Sequence, residues 1–199
     1  MTKSNDSRKA TARGEDVQAA AVSYCSTCGQ REPAPAGAGP SAAHRTIRPL
    51  IRPIAPTDSD SYRSILERTT AEDLYCRFFH VVDAEELADV KPFVEPRPDT
   101  IGFIAEDGTK ALGAAHAFFS PNLAEAEIAI VVARDARRCD VGHALLQRLI
   151  DELRARDCRV VCAYSLSGNS AFSHLARSVG MRPIGPPSDV MTWTLAATA

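Results

Sequence analysis

The sequence predicts an α+β domain, in which strands and helices are partly segregated along the chain. Apolar and polar residues alternate between residues 100 and 132, which is typical of antiparallel strands with one buried face. Before and after this stretch, apolar residues recur at helical spacing behind N-capping patterns. Short apolar segments return near the end of the chain. The order strand, helices, antiparallel strands, helix, strand, helix and strands indicates a mixed α+β domain.

The first elements are one strand and a cluster of short helices. Residues 46–54 are the expected strand, where Pro49 and Pro53 suit an edge position. Three helices follow, and each begins at a capping pair: Thr57 with Asp60, Thr70 with Asp73, and Asp83 with Glu86. The first helix places three side chains on one face, those of Tyr62, Ile65 and Leu66.

A hairpin and a third strand are predicted next. Residues 101–105 and 110–120 pair around a turn at Asp107-Gly108, and Asn122 marks a second turn. Residues 124–132 then form a strand whose even-numbered residues share one face. Because strand side chains alternate, Glu125 and Glu127 share the opposite face.

The clearest helix is expected at residues 141–156, where five apolar residues form a stripe: Leu145, Leu146, Leu149, Ile150 and Leu153. A buried strand at 159–164 follows. Asn169 then caps a helix that ends at Gly180. Two last strands, at 181–184 and 190–195, flank a proline-rich turn.

Composition limits the classes of protein that need considering. The chain has 199 residues with 25 Asp and Glu against 23 Lys and Arg, so its formal net charge of −2 excludes binding to nucleic acid by general positive charge. No run approaches the ~20 apolar residues of a membrane span, and the first residues lack the apolar stretch of a secretory signal. We expect a cytoplasmic protein with no membrane partner.

Residues 1–44 differ in composition from the rest. They are rich in small polar residues and in Pro, Ala and Gly around residues 33–40, a composition that buries too little apolar surface to fold. We expect a disordered tail here and one folded domain at residues 45–199. The spacing of Cys25 and Cys28 suits half of a zinc site, but no second pair completes it, so no metal is predicted.

An anion site is predicted between the third strand and the long helix. The free amides at a helix N-terminus and the positive end of the helix dipole favour the binding of phosphate. Arg137 and Arg138 come just before the helix expected at residues 141–156 and add positive charge there. The alternative is that both arginines are simply solvated.

Two motifs in this half of the chain resemble those of the GNAT superfamily of N-acetyltransferases. Residues 137–142, Arg-Arg-Cys-Asp-Val-Gly, resemble its acetyl-CoA motif Gln/Arg-x-x-Gly-x-Gly/Ala. Residues 169–181 are similar to its Asn-x-x-x-x-x-Leu-x-x-x-x-Gly-Phe pattern. The resemblance implies a mostly antiparallel mixed sheet of six to seven strands and acetyl transfer from acetyl-CoA to a primary amine by direct attack. It also implies a monomer or homodimer that needs no metal.

Within the superfamily, residues 47–49 or 51–53, 70–79 and 126–129 look like bacterial protein lysine acetyltransferases. A protein lysine is therefore one candidate acceptor and a small amine the other. By this resemblance Glu127 is the general base, with Glu125 in reserve; the alternative is a solvated carboxylate. The resemblance also assigns residues to acetyl-CoA: Ile130, Val132, Arg137, Arg138, Asp140, Gly142, His143, Ala144 and Asn169.

Two departures from the family pattern affect this interpretation. Asp140 stands where the motif has its first glycine, so its carboxylate is expected to cap the amides that phosphate would use and to weaken acetyl-CoA binding. Asp tolerates a positive φ, which would preserve the loop. Ala176 replaces the tyrosine that serves many relatives as general acid; Tyr164 and His174 are substitutes, although a core and a surface role respectively are the simpler interpretations. The rival function is a degenerate acyl-CoA-binding or interaction module without turnover.

Overall fold

The computed structural model describes residues 48–121 and 123–197, and in them seven strands form one sheet. The strands are β1 (Leu50–Pro53), β2 (Thr100–Asp107), β3 (Lys110–Phe119), β4 (Glu125–Val132), β5 (Val160–Leu166), β6 (Arg182–Ile184) and β7 (Val190–Ala196). Their order across the sheet is β1-β2-β3-β4-β5-β7-β6. Only β4 and β5 pair in parallel among these strands. The predicted mixed, mostly antiparallel sheet is therefore confirmed.

Six helices of the described residues flank the sheet: α1 (Ser59–Glu67), α2 (Ala71–Phe78), α3 (Ala84–Ala88), α4 (Lys91–Val94), α5 (Val141–Ala155) and α6 (Ser170–Ser178). Helix α5 lies over Gly113 of β3 through Leu145, whereas the Tyr62 ring of α1 packs against His116 of the same strand. Because residues 113 and 116 differ by an odd number, the two helices cover opposite faces of the sheet.

The core forms where the sequence pattern predicts it. All five apolar residues of the α5 stripe are buried, and so are Tyr62, Ile65 and Leu66 of α1. Thr70 caps α2 by accepting the amide of Asp73 at 3.2 Å. Asn169 caps α6 by accepting the amide of Phe172 at 2.9 Å. Both predicted caps are confirmed.

The prediction that Thr57 caps the first helix is wrong. Thr57 lies inside a 3₁₀ turn, Pro56–Asp58, that precedes α1. The buried Asp58 carboxylate ends this turn by accepting the amide of Ala55 at 2.7 Å and two bonds from Arg52 at 2.7 and 2.8 Å. Arg52 also donates to Glu106 at 2.7 and 3.0 Å. This triad of Arg52, Asp58 and Glu106 ties β1, β2 and the start of α1 together.

Other predicted boundaries shift by a few residues. The hairpin turn consists of Gly108, at φ 61°, and residue 109, one position later than predicted. The first strand is shorter than residues 46–54, since residues 48 and 49 lie outside β1 and residues 46 and 47 lie outside the described part. The expectations for residues 1–44, for Cys25 and Cys28, and for Asn122 also fall outside it. Helix α4 had no sequence signal that we recognised.

The described residues contain neither a membrane-spanning helix nor a metal-binding cluster. None of their helices is both long and apolar enough to cross a membrane. They contain no group of three His, Cys, Asp or Glu side chains that could hold a metal ion.

Candidate active site

The parallel strands β4 and β5 separate part-way along their length. Among the described residues their pairing covers Glu125 opposite Val160, Ala126 opposite Val161, and Glu127 opposite Cys162. Both strands continue past this point, to Val132 and to Leu166. We call the gap between residues 128–132 and residues 163–166 the fork.

The backbone of β4 presents hydrogen-bonding groups to the fork. The amide of Ala133 donates to the Leu112 carbonyl at 2.9 Å, and the Glu125 carbonyl accepts the Ser120 amide at 2.9 Å, so odd-numbered residues of this strand bond towards β3. Because this direction alternates along a strand, the amides and carbonyls of Ile130 and Val132 point into the fork. An extended ligand lying there could pair with them as a strand does.

Glu127 lies at the point where the fork opens. Its side chain is on the face that carries α1 and α2, since its neighbour on β3 is Phe118 and its neighbour on β5 is Cys162. Partial burial raises the pKa of the Glu127 carboxyl, and the nearby cation of Arg77 partly opposes this rise. A carboxylate with a raised pKa is a better proton acceptor at neutral pH, which suits the predicted general base. Glu125 and Glu127 are both exposed to solvent on this face.

Tyr164 lies on the β5 side of the fork, on the same face as Cys162. Its side chain is 40% exposed, so the simpler interpretation of a core tyrosine is wrong. Burial of the rest of the residue, followed by the charges of Cys162 and Glu127, raises the pKa of its phenol. Tyr164 is therefore protonated at neutral pH and remains a candidate proton donor.

In the loop before α5, Asp140 adopts a backbone conformation that glycine favours. Arg138 and Asp140 have φ values of 56° and 59°, the left-handed region that glycine enters most easily. Asp140 precedes the first turn of α5 and makes no side-chain cap to it, contrary to our expectation. Its carbonyl accepts the amide of Ala144 at 3.0 Å. The earlier amides of α5 are the ones that a helix leaves without partners.

Arg137 is less available than the sequence suggests. Its guanidinium forms an ion pair with the carboxylate of Asp73, on α2, at 2.5 Å. Through this pair and through the hydrogen bond between Thr70 and Asp73, the loop before α5 is attached to the start of α2. In the sequence, Asp73 is recognisable only as part of a capping pair, so its contact with Arg137 was not predicted.

Gly142 and His143 lie where α5 meets α6. A Cβ atom on Gly142 would lie 3.2 Å from Leu175 and 3.7 Å from Val132, so glycine permits a close approach of helix and strand here. His143 Nδ1 lies 3.0 Å from the Ser178 hydroxyl. Ala176 is fully buried in α6, and its methyl group offers no proton donor. Asn169 uses its side-chain oxygen as the cap of α6.

Comparisons with known proteins agree with this geometry. Residues 68–181 match the model of the acetyltransferase (GNAT) family, which is more than half of the chain. The chain belongs to the GNAT acetyltransferase family. Its predicted class, an acyltransferase, is thereby confirmed at the level of the family.

Solved structures of the GNAT fold cover about three quarters of the chain. The GNAT domain of S. lividans PAT is 22% identical with a TM-score of 0.66, and the match covers 74% of this chain and 90% of that one. The ribosomal-protein-alanine N-acetyltransferase from Brucella melitensis is 24% identical with a TM-score of 0.62, and the match covers 74% of this chain and 99% of that one. The spermidine N-acetyltransferase from Vibrio cholerae, solved with CoA and spermine, is 14% identical with a TM-score of 0.63, and the match covers 75% of this chain and 96% of that one. At these identities the likeness establishes the fold.

Proposed function

We propose that this GNAT protein transfers the acetyl group of acetyl-CoA to a primary amine. The observation that carries the proposal is the fork, which opens beside Glu127 and receives the amides of Ile130 and Val132. The pantetheine arm lies in the fork and pairs with these amides. The pyrophosphate lies at the start of α5, near Arg137, Arg138, Asp140, Gly142, His143 and Ala144, and Asn169 contacts the cofactor from α6.

The reaction proceeds by direct attack in a ternary complex. Glu127 takes a proton from the ammonium group of the acceptor, because only the neutral amine has a lone pair for attack. The nitrogen then bonds to the thioester carbon while an amide of the fork stabilises the negative charge on the carbonyl oxygen. The carbon–sulfur bond breaks, coenzyme A leaves as a thiolate, and the positively charged nitrogen of the intermediate gives its second proton to solvent. With a pKa near ~8.5 a thiol leaves readily, so the reaction proceeds even where no acid replaces Ala176.

The acceptor is the finer part of the proposal. Relatives with this fold are named for acetylating ribosomal-protein alanine and spermidine, so the fold by itself does not select the amine. Residues 70–79 and 126–129 resemble protein lysine acetyltransferases, and on that basis we propose a protein lysine ahead of a small amine. The cytoplasmic location and the monomeric or homodimeric state stay predictions.

Calorimetry with acetyl-CoA, followed by an assay of thiol release, tests the proposal. We expect saturable binding, and release of coenzyme A that depends on added amine, using a lysine-containing peptide and spermidine as the two probes. Peptide-dependent release supports the lysine acceptor, and release with spermidine alone supports the small amine. Binding without release for either probe would favour the binding module, and absence of binding would refute the proposal.

A further inference from the structure

The four helices that precede β2 enclose a cavity separate from the fork. Its volume is about 460 Å³, within the range of small-molecule sites in proteins. None of the residues that line it belongs to β4 or β5. Most of the lining is apolar and consists of Leu66, Phe78, Val82, Leu87, Pro92 and Phe93.

Two phenylalanines give this cavity an ordered aromatic wall. The ring centres of Phe78 and Phe93 lie 5.9 Å apart, and Phe93 is stacked on the fully buried Tyr62 with ring centres 5.2 Å apart. Leu66, on α1, is buried beside them. Close packing of this kind fixes side-chain positions before a ligand arrives. The wall is therefore preformed, which lowers the entropic cost of binding.

The charged residues that line the cavity are both acidic. Glu85 on α3 and Asp89 directly after α3 are exposed to solvent. Neither carboxylate takes part in an ion pair within the described residues. Arg63 approaches from α1, but it donates to the Ala88 carbonyl at 3.3 Å and pairs with Asp60. The cavity thus combines an apolar interior with a negatively charged rim.

A small cation with an apolar body matches both features. Burying its apolar body against the aromatic wall removes that surface from water. Its positive charge can stay at the rim, where the two carboxylates attract it without giving up another cation. An anion of the same shape would meet two like charges, and a neutral molecule would gain from burial alone. His80 is the remaining polar residue of the lining, and its ring centre lies 6.2 Å from that of Phe78.

We propose that this cavity binds a small amphipathic amine, with the apolar part against Phe78 and Phe93 and the ammonium group at Glu85 and Asp89. The site is distinct from the acetyl-transfer site and does not depend on the proposed function. Phe78 is the last residue of α2, which also packs against β4 and β5. A ligand held against Phe78 therefore stabilises the helix that lies beside the fork.

Methyl-detected NMR of the full chain at low salt tests the proposal, with 2-phenylethylamine as the probe. We expect saturable shifts of the Leu66, Val82 and Leu87 methyl signals with a Kd of about 1 mM or tighter. The neutral 2-phenylethanol should bind at least about fivefold more weakly, and the anionic phenylacetate more weakly still. Absence of these shifts, or equal affinity for amine and alcohol, would overturn the proposal. Shifts confined to Ile130 and Val132 would do the same, because they would place the amine in the fork.

Two double variants separate the carboxylates of the cavity from the general charge of the helices. Glu85→Gln with Asp89→Asn should lower the affinity for the amine to that for the alcohol. Glu67→Gln with Glu72→Gln removes the same charge from α1 and α2 outside the lining, and should leave both affinities unchanged. All four side chains are exposed, so we expect unchanged melting temperatures.

Full affinity for the amine in the cavity variant, or an equal loss in the control variant, would refute the role of Glu85 and Asp89 and with it the proposed site. The titration needs neither acetyl-CoA nor turnover. An inactive wild-type protein would therefore count against the proposed function and leave the result for the cavity readable.

Discussion

Two arginines in this domain occupy opposite situations. Arg52, at the β1 edge of the sheet, donates to both Asp58 and Glu106, and the bonds hold the pKa of Asp58 below its usual range. Arg77, beside the fork, has two buried donors without partners in the described residues. The guanidinium of Arg52 is paired with two carboxylates, whereas two donors of the Arg77 guanidinium have no acceptor among the described residues.

The difference indicates what each region is for. Closed networks of charge and hydrogen bonds fix the geometry of a fold, whereas unsatisfied buried groups are rare and concentrate where a site handles charge. Substitutions in the triad of Arg52, Asp58 and Glu106 should therefore change stability, and those near the fork should change catalysis or binding. Four predictions test this division.

The largest effect is expected for Glu127→Gln. Removing a general base typically lowers turnover by about 10²-fold or more, and the affinity for acetyl-CoA should not change because the fork is built by backbone. Thiol release and calorimetry measure the two quantities. The deficit should shrink as pH rises, because the amine then loses its proton to solvent.

Glu125→Gln is the matched control for this prediction, since it removes the same charge from the same face of β4. We expect turnover close to that of the wild type. Equal rates for wild type and Glu127→Gln from about pH 6 to 9 would return Glu127 to the role of a solvated carboxylate.

The second prediction breaks the triad instead. Asp58→Asn should lower the free energy of unfolding by about 2 kcal/mol, because it leaves Arg52 with one partner and the carboxylate is 7% exposed. Urea denaturation at pH 7 measures the loss, and acetyl-CoA affinity should not change. Folding lowers the pKa of Asp58. The Asp58 carboxylate therefore stabilises the fold at any pH above its pKa in the unfolded chain, and this stabilisation is lost as the pH falls through its pKa in the folded protein. The difference between the two proteins should therefore vanish in acid.

Asp60→Asn serves as the control for Asp58→Asn. Its carboxylate is 96% exposed and pairs with Arg63 on the surface of α1. Solvent screens such a pair, so we expect no measurable change in stability. A loss comparable to that of Asp58→Asn would show that the triad has no special role.

The third prediction concerns Asp140 and has a smaller effect. Glycine at φ 59° removes backbone strain, and it also removes a negative charge from the proposed pyrophosphate site. Asp140→Gly should therefore tighten acetyl-CoA binding by about 1 kcal/mol, measured by calorimetry. Asp157 also has a φ of 59°, but it lies beyond the far end of α5. Both substitutions relieve a positive φ and should raise the free energy of unfolding by similar amounts. Asp157→Gly should leave the affinity for acetyl-CoA unchanged.

The smallest effect is expected for Asp73→Asn. The substitution releases Arg137 from its ion pair and leaves the Thr70 cap in place, since the amide of residue 73 makes that bond. Acetyl-CoA should bind about twofold more tightly at low salt, the scale of a partly exposed ion pair, and the gain should fade as salt is added. Asp135→Asn, which frees Arg68 and Lys110 instead, should leave binding unchanged.

Periodicity and capping patterns were sufficient to predict most of the fold. The stripe of α5, the pair of Asn169 with α6 and the meander of β2 to β4 depend on contacts near in sequence, which such patterns encode. The Asp58 carboxylate, by contrast, is bound by Arg52 and by the amide of Ala55, and it makes no cap to α1. Contacts of this kind have no signature in hydrophobic periodicity.

The candidate site was predictable only in part. Motif spacing placed Glu127, Asp140 and Gly142 on the strand, loop and helix where they are found, but their roles stay predictions. Neither Arg77 nor the pairing of Asp73 with Arg137 could be read from the sequence, because α2 is far from β4 and α5 along the chain. The signal that could have suggested Arg77 was a charged residue directly before two phenylalanines in an amphipathic helix.

The short pairing between β4 and β5 also affects how the sheet opens locally. Only three residue pairs of the described sheet hold its larger part, β1 to β4, to the smaller part, β5 to β7. The two parts should thus open separately in the free protein, and amide protons of β5 should exchange with solvent earlier than those of β2 and β3. A ligand seated in the fork would join them and slow exchange on both sides. Hydrogen exchange would then follow occupancy of the site without any measurement of the chemical reaction.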